Sequence, residues 1–317
     1  MLSIVVPCYN EEAMIALFIE AVDQVMQHHP QKIEYIFVND GSKDDTLDLL
    51  KKFHQARPTE IRYLSFSRNF GKEAALYAGL QQATGDLITV MDADLQDPPE
   101  LLPKMIAMIE TKEIDCVGTR RANRKGEPLI RSMFSRLFYK LINQFSETKL
   151  VDGARDFRVM TRQMVDAILE ITEYNRFSKG IFSWVGFETE YLSYENRERV
   201  AGKTSWSFLS LLKYSIDGVV NFSEAPLMLA SWIGALSCFG AGIALVFIVI
   251  RALLFGDPTS GWPSLVSIML FVGGLQLLCL GIIGKYIGKV FLETKKRPIY
   301  LIKESSPLVQ KKEEEND

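Results

Sequence analysis

Gly85-Asp-Leu-Ile-Thr-Val-Met-Asp92-Ala93-Asp94-Leu-Gln96-Asp97-Pro-Pro99 is the stretch on which the reading of the fold turns. It reads as a short apolar strand that runs into a cluster of carboxylates and is stopped by two prolines, so the acids sit where a buried strand surfaces. In an extended segment Asp92 and Asp94 point to one side, and Gln96 continues the same face. Two hard oxygen ligands beside open space suit Mg²⁺ or Mn²⁺. An Asp-x-Asp pair by itself more often marks a solvated turn with an N-cap. Its weight here comes from its place, because ligands of open α/β sheets bind beyond the carboxyl ends of strands.

Working outward, the flanking segments alternate between apolar strands and amphipathic helices. Strands are expected at Leu2 to Pro7, Lys32 to Val38, Ile61 to Ser65 and Asp115 to Gly118, with helices reaching to about Gln27 and over 45–56, 72–83 and 100–111. This alternation predicts an α/β fold with a mostly parallel, doubly wound sheet. The second strand ends in Asn39-Asp40-Gly41-Ser42, another acid and glycine at a strand terminus. Gly71-Lys72 lacks the spacing of a phosphate loop, and no Gly-x-Gly-x-x-Gly follows the first strand, so a Walker-type ATPase and a dinucleotide enzyme both lose support.

The chain of 317 residues has room for one sizeable domain and something smaller. Its net charge of −3 hides basic runs near 120–140 and 285–297 and an acidic end, and predicts no nucleic-acid partner. Cys8, Cys116, Cys238 and Cys279 are scattered, which fits reduced thiols in a cytosolic compartment. Met1 leads straight into Leu-Ser-Ile-Val-Val-Pro without a signal-peptide pattern, so the first domain is expected in the cytosol.

Val-Val-Pro7-Cys-Tyr9-Asn10-Glu11, Val38-Asn-Asp40-Gly-Ser42, Arg68-Asn-Phe-Gly71 and Asp92-Ala-Asp94-Leu-Gln96-Asp-Pro, in that order, resemble the signature of inverting family 2 glycosyltransferases with the GT-A fold, a Rossmann-like architecture. Within that family the chain is similar to the polyprenyl-phosphate glycosyltransferases, related to dolichol-phosphate mannosyltransferase and the bactoprenol glucosyltransferases. The resemblance implies that Pro7, Tyr9, Glu11, Val38 and Asp40 hold the nucleotide base and ribose of a nucleotide sugar. It implies that Asp92, Ala93, Asp94 and Gln96 face its diphosphate, with Asp92, Asp94 and Gln96 on the metal. Tyr9 and Val38 read equally well as packing residues.

Downstream, Leu129 to Phe145 carries apolar residues at three-and-four spacing with Arg131, Arg136 and Lys140 interleaved, a helix with one apolar side. Core packing and a bilayer-surface position both fit it. Arg131 and Ser135 are one turn apart and can share a phosphate, and related enzymes place acceptor-phosphate contacts in this region. Arg120 is a similar candidate for a donor or acceptor phosphate. Asp152-Gly-Ala-Arg155-Asp156-Phe157-Arg158 resembles the family's Gly-Asp-Phe-Arg motif, with Arg155 where glycine is expected. The resemblance makes Asp156 the catalytic carboxylate beside Asp94. A phosphate acceptor is already largely ionised at neutral pH, so Asp156 is read either as a base or as a group that orients acceptor or metal, and a salt bridge to Arg158 or Arg162 is the structural alternative. Arg199-Val-Ala-Gly202-Lys203 looks like the family's Arg-x-x-Gly-x-Ser-Lys segment with its last residues altered, which makes Arg199 and Lys203 candidates for closing over diphosphate.

Leu227 to Ile250 holds no charged residue and would reach about 36 Å as a helix, and Ser264 to Gly284 repeats the pattern with Gln276 its one strongly polar residue. Lys285, Lys289, Lys295, Lys296 and Arg297 follow the second span, whereas the 251–263 loop has Arg251 against Asp257, so the positive-inside rule puts both ends in the cytoplasm.

The expected organisation is a cytoplasmic GT-A domain over 1–200, a juxtamembrane interfacial segment over 201–226, two transmembrane helices at about 227–250 and 264–284 within 227–290, and a cytoplasmic tail over 291–317. The expected activity is metal-dependent transfer of one sugar, from UDP-glucose or UDP-GlcNAc, to polyprenyl (undecaprenyl) phosphate at the plasma membrane. A processive polysaccharide synthase and an inactive membrane scaffold are the alternatives. A homo-oligomer and a downstream flippase and glycosyltransferase are further candidate partners.

Overall fold

A computed structural model describes residues 1–121, 143, 151, 153–195, 220, 225–255 and 261–307. Arg131, Ser135, Arg199 and Lys203, the helix expected over 129–145 and most of the interfacial segment lie outside the described residues.

The strands are β1 (Leu2–Cys8), β2 (Ile33–Asn39), β3 (Ile61–Phe66), β4 (Leu87–Val90), β5 (Cys116–Arg121), β6 (Ala154–Thr161), β7 (Thr189–Tyr194) and β8 (Ile302–Ser305). They form one sheet in the order β7-β5-β6-β4-β1-β2-β3-β8. Helices α1 (Ile15–Met26), α2 (Thr46–Ala56), α3 (Lys72–Gln82) and α4 (Leu102–Lys112) cross over between the early strands, and α5 (Arg162–Glu170) and α6 (Ser178–Trp184) follow β6. β1 pairs in parallel with β2 and β4, and β2 with β3, as the alternation predicts. These strands are near-continuous apolar runs because helices cover both faces, and two buried clusters lie on opposite sides of the sheet.

The sheet departs from the simple alternation at β6. The expected successor of β4 was the strand near 115–118, but β6 is inserted antiparallel between β4 and β5, with Val90 opposite Arg158 and Gly118 opposite the same residue. The segment reads as a charged motif rather than a strand, yet Phe157, Arg158, Val159 and Met160 are all buried. The Arg158 guanidinium lies 3.7 Å from the centre of the Phe182 ring and donates to the carbonyls of Arg155 at 3.0 Å and Asp156 at 3.3 Å, so this arginine is a core residue. Gly153, at φ +77°, supplies the turn into β6, and Arg155 lies within the strand, without a positive φ that would call for glycine.

Helix α3 buries Ala74, Ala75, Leu76, Tyr77, Ala78, Gly79 and Leu80. Its small side chains let it sit deep against the sheet: a Cβ on Gly79 would lie 2.3 Å from Val5 Cγ1 and 3.3 Å from Val38 Cγ2.

Helices α7 (Ala225–Phe255) and α8 (Trp262–Thr294) are 31 and 33 residues long. Their windows Pro226–Ala244 and Phe271–Thr294, at mean hydropathy 1.7 and 1.6, are almost wholly exposed, and both helices are long and apolar enough to cross a membrane. Past α8 the chain returns to the sheet. Tyr300 stacks on Phe66 at 4.9 Å and donates to Gln81 Oε1 at 2.6 Å, and β8 pairs antiparallel with β3, a strand for which the tail gave no signal.

Replacing Gly79 by alanine should push α3 off β1. We expect a loss of about 1–3 kcal/mol in denaturant unfolding of the detergent-solubilised protein, and unchanged stability would show that the α3–β1 packing is looser than described.

Candidate active site

The site begins with a constraint at the N-terminus of α3. Lys72 opens the helix, where the backbone dipole disfavours a cation, so its ammonium needs acids nearby. It finds two: Nζ lies 2.7 Å from Asp92 Oδ1, 2.9 Å from Asp92 Oδ2 and 2.6 Å from Asp156 Oδ2. The strand register explains the convergence, since Val90 pairs with Arg158 and two further residues along each strand bring Asp92 opposite Asp156. Burial works against the charged form of Asp156, but the ammonium groups of Lys72 and Lys179 and the guanidinium of Arg155 outweigh it and hold its pKa well below the carboxylate range. The same pairing overcomes burial at Lys72 and raises its pKa, through Asp156 first and Asp92 next. Lys72, rather than Arg158 or Arg162, is therefore the partner of the Asp156 carboxylate; Arg162 instead donates to the carbonyls of Ala83 and Gly85.

The loop ahead of Lys72 is held from below by Asp40. Its Oδ1 accepts the N–H of Phe70 at 2.6 Å and its Oδ2 that of Gly71 at 2.9 Å. Burial raises the Asp40 pKa against the opposing effect of these two N–H groups. Gly41 has φ +65°, and a Cβ there would meet the Arg68 carbonyl carbon at 2.5 Å, so the two loops touch backbone to backbone.

Beyond β4 the acids are arranged differently from an extended face. The segment turns after Val90, Leu95 adopts φ +54°, and Asp94 Oδ1 accepts the N–H of Gln96 at 3.1 Å. Asp92 thus faces Lys72, Asp94 is buried, and Ala93 packs in the core. Asp97, also buried, accepts from Arg155 Nε at 3.0 Å and from the Tyr194 hydroxyl, and burial together with Asp97 pushes the Tyr194 pKa up to about 12. Among the described residues no three His, Cys, Asp or Glu side chains gather as a metal cage. Asp92, Asp94 and Gln96 offer hard oxygens of the kind a divalent ion takes, with those of Asp92 already on the Lys72 ammonium.

The other expected positions fall into two groups. Pro7 lies opposite Val38 in the β1–β2 register, and Val38 is fully buried, so only its backbone faces the strand ends. Tyr9 is exposed. Next to it Asn10 accepts from Lys43 N at 2.9 Å and the Glu11 N–H donates to Thr46 Oγ1 at 2.9 Å, and Asn10 and Glu11 line an open cleft with Lys43 and Asp44. Arg120 sits across from Ala154, two residues from Asp156, and donates to Ser193 Oγ at 2.8 Å. Sequence reasoning passed over Lys72 once the phosphate-loop spacing failed; a lysine at a helix N-terminus just after glycine was the available signal. Arg155 and Tyr194 had no local signal, because Asp97 reaches them across the sheet.

A mixed, mostly parallel sheet with acids at the end of its central strand and a further carboxylate brought in by an antiparallel neighbour defines a GT-A glycosyltransferase. Residues 3–169 match the family described as Glycosyl transferase family 2, and the chain belongs to that family. It is 44% identical to the CsbB protein of Bacillus subtilis (strain 168) over 96% of this chain and 92% of that one. It is 40% identical to the bactoprenol glucosyl transferase of Shigella phage SfX, over 95% of this chain and 98% of the relative. Among solved structures, mannosyl-3-phosphoglycerate synthase from Rubrobacter xylanophilus is 18% identical over 69% of this chain and 71% of that chain, at a TM-score of 0.48.

The Lys72 bridge makes a test possible without substrate. Lys72→Met removes the cation that depresses the Asp156 pKa, and should cost about 2 kcal/mol at pH 7. A depressed carboxylate pKa stabilises the fold above the unfolded value of about 4, and that contribution fades as pH falls through the folded value. The gap between wild type and variant should therefore narrow below about pH 4, read from unfolding curves between neutral and acid pH; a gap that does not change with pH would separate Lys72 from Asp156.

Proposed function

We propose that this protein transfers a single sugar, with inversion, from a nucleoside diphosphate sugar to a polyprenyl phosphate at the cytoplasmic face of the membrane, with UDP-glucose as the leading donor and UDP-GlcNAc the next. The observation that carries this reading is the meeting of Asp92 and Asp156 on one ammonium at the carboxyl end of β4, in a chain that aligns with a bactoprenol glucosyl transferase over 95% of its length, the two apolar helices included.

In this reading the cleft beside Tyr9, Asn10 and Glu11, with Asp40 behind it, receives the nucleotide. Asp92, Asp94 and Gln96 would hold Mg²⁺ or Mn²⁺, which when bound offsets the charge that builds on the departing diphosphate. An oxygen of the acceptor phosphate attacks the anomeric carbon from the side opposite the diphosphate, a C–O bond forms as the sugar–phosphate bond breaks, and the nucleoside diphosphate leaves. The acceptor arrives ionised, and Asp156 is held ionised too, so little proton transfer is needed. Asp156 then acts by orientation: it fixes Lys72 where its ammonium offsets the charge of an approaching phosphate group. Arg120, Arg131, Ser135, Arg199 and Lys203 supply further phosphate contacts. The helices α7 and α8 cross the bilayer with both termini cytoplasmic, so the catalytic domain over 1–200 stays beside a lipid whose phosphate sits at the headgroup layer.

Asp94→Ala is expected to abolish glycolipid formation in membranes supplied with UDP-glucose, undecaprenyl phosphate and Mn²⁺. Product at the wild-type rate would remove the metal from this reading.

A further inference from the structure

The last turn of α8 does more than end a helix. The Glu293 carboxylate accepts the N–H of Tyr174 at 3.0 Å on both oxygens, the N–H of Asn175 at 3.1 Å and the Asn175 side-chain amide at 3.3 Å. Tyr174 and Asn175 belong to the loop between α5 and α6. The far side of that loop is fastened to the catalytic centre: the Arg176 guanidinium lies 4.2 Å from the centre of the Tyr77 ring of α3, and Ser178 donates its N–H at 2.9 Å, and its hydroxyl, to Glu73 Oε2. Glu73 follows Lys72 in the chain, and Lys179, next to Ser178, is one of the cations that hold Asp156 ionised. A continuous series of contacts thus runs from the end of the long apolar helix to the bridged carboxylates.

The segment past α8 provides a second hold on the domain, through Tyr300 on Phe66 and β8 on β3. Lys285 is the first charge after the apolar run, and eight helical residues carry Glu293 about 12 Å beyond it. A helix gripped at its tip and again just past it fixes the distance between its apolar part and the site.

We propose that Glu293 is a positioning residue that locks the end of α8 onto the Tyr174–Asn175 backbone, setting the height and tilt at which the Lys72, Asp156 and Lys179 group meets a phosphate held in a bilayer. A carboxylate is the right group for this, since it accepts from converging backbone donors that a neutral side chain would leave partly unmet. The proposal rests on the membrane-acceptor reading above. Its special content is that the lock serves only an acceptor whose position the bilayer fixes.

The test compares two acceptors using full-length protein in lipid vesicles with UDP-glucose: undecaprenyl phosphate within the bilayer, and geranyl phosphate, short enough to reach the site from water. Glu293→Ala should lower kcat/KM about tenfold for the bilayer acceptor while leaving the soluble acceptor within about twofold, and Glu293→Gln, which keeps one acceptor oxygen, should fall between. Equal losses on both acceptors would make Glu293 a general support of the fold and overturn the proposal, as would no loss on either. Failure of the wild-type protein to glycosylate any prenyl phosphate would instead overturn the reading of the substrate, before any variant is compared.

Discussion

Two ionised carboxylates side by side in a partly buried cleft repel each other, and a cation between them removes that cost; Lys72 is that cation for Asp92 and Asp156. Much of the surrounding structure follows from getting one lysine to that point. Helix α3 must lie close to the sheet, which its alanines and Gly79 allow. The loop before it must end at a defined place, which Asp40 ensures by accepting from Phe70 and Gly71. Strand β6 must run against β4 in antiparallel register, so that Asp156 arrives opposite Asp92.

The first half of the sheet was legible because its strands are buried on both faces and read as unbroken apolar runs bounded by turn residues. The apolar run of β4 was legible for the same reason, although the strand ends at Val90, ahead of the acids and of the two prolines expected to stop it. β6 was hidden by its own chemistry: four charged or polar side chains in Ala154–Thr161 mask a strand whose arginine at 158 is solvated by backbone carbonyls and an aromatic face rather than by water. The local geometry of Asp92 to Gln96 was misjudged because a left-handed residue at Leu95 cannot be read from composition. Arg155 acts through a contact with Asp97 that no spacing along the chain announces, and Lys72 is marked only by its place after Gly71 at the start of α3.

The two long helices and the sheet are joined by more than a flexible connection. Polar groups at the end of α8 meet a loop that leads straight into α6, whose Lys179 contributes to the positive field that keeps Asp156 ionised.

β8 carries a consequence for how the molecule is made. Its partner β3 ends at Phe66, whereas β8 begins at Ile302, so β3 is synthesised long before the strand that covers its outer edge. During that interval the unpaired amides of β3 can template a strand from another nascent chain.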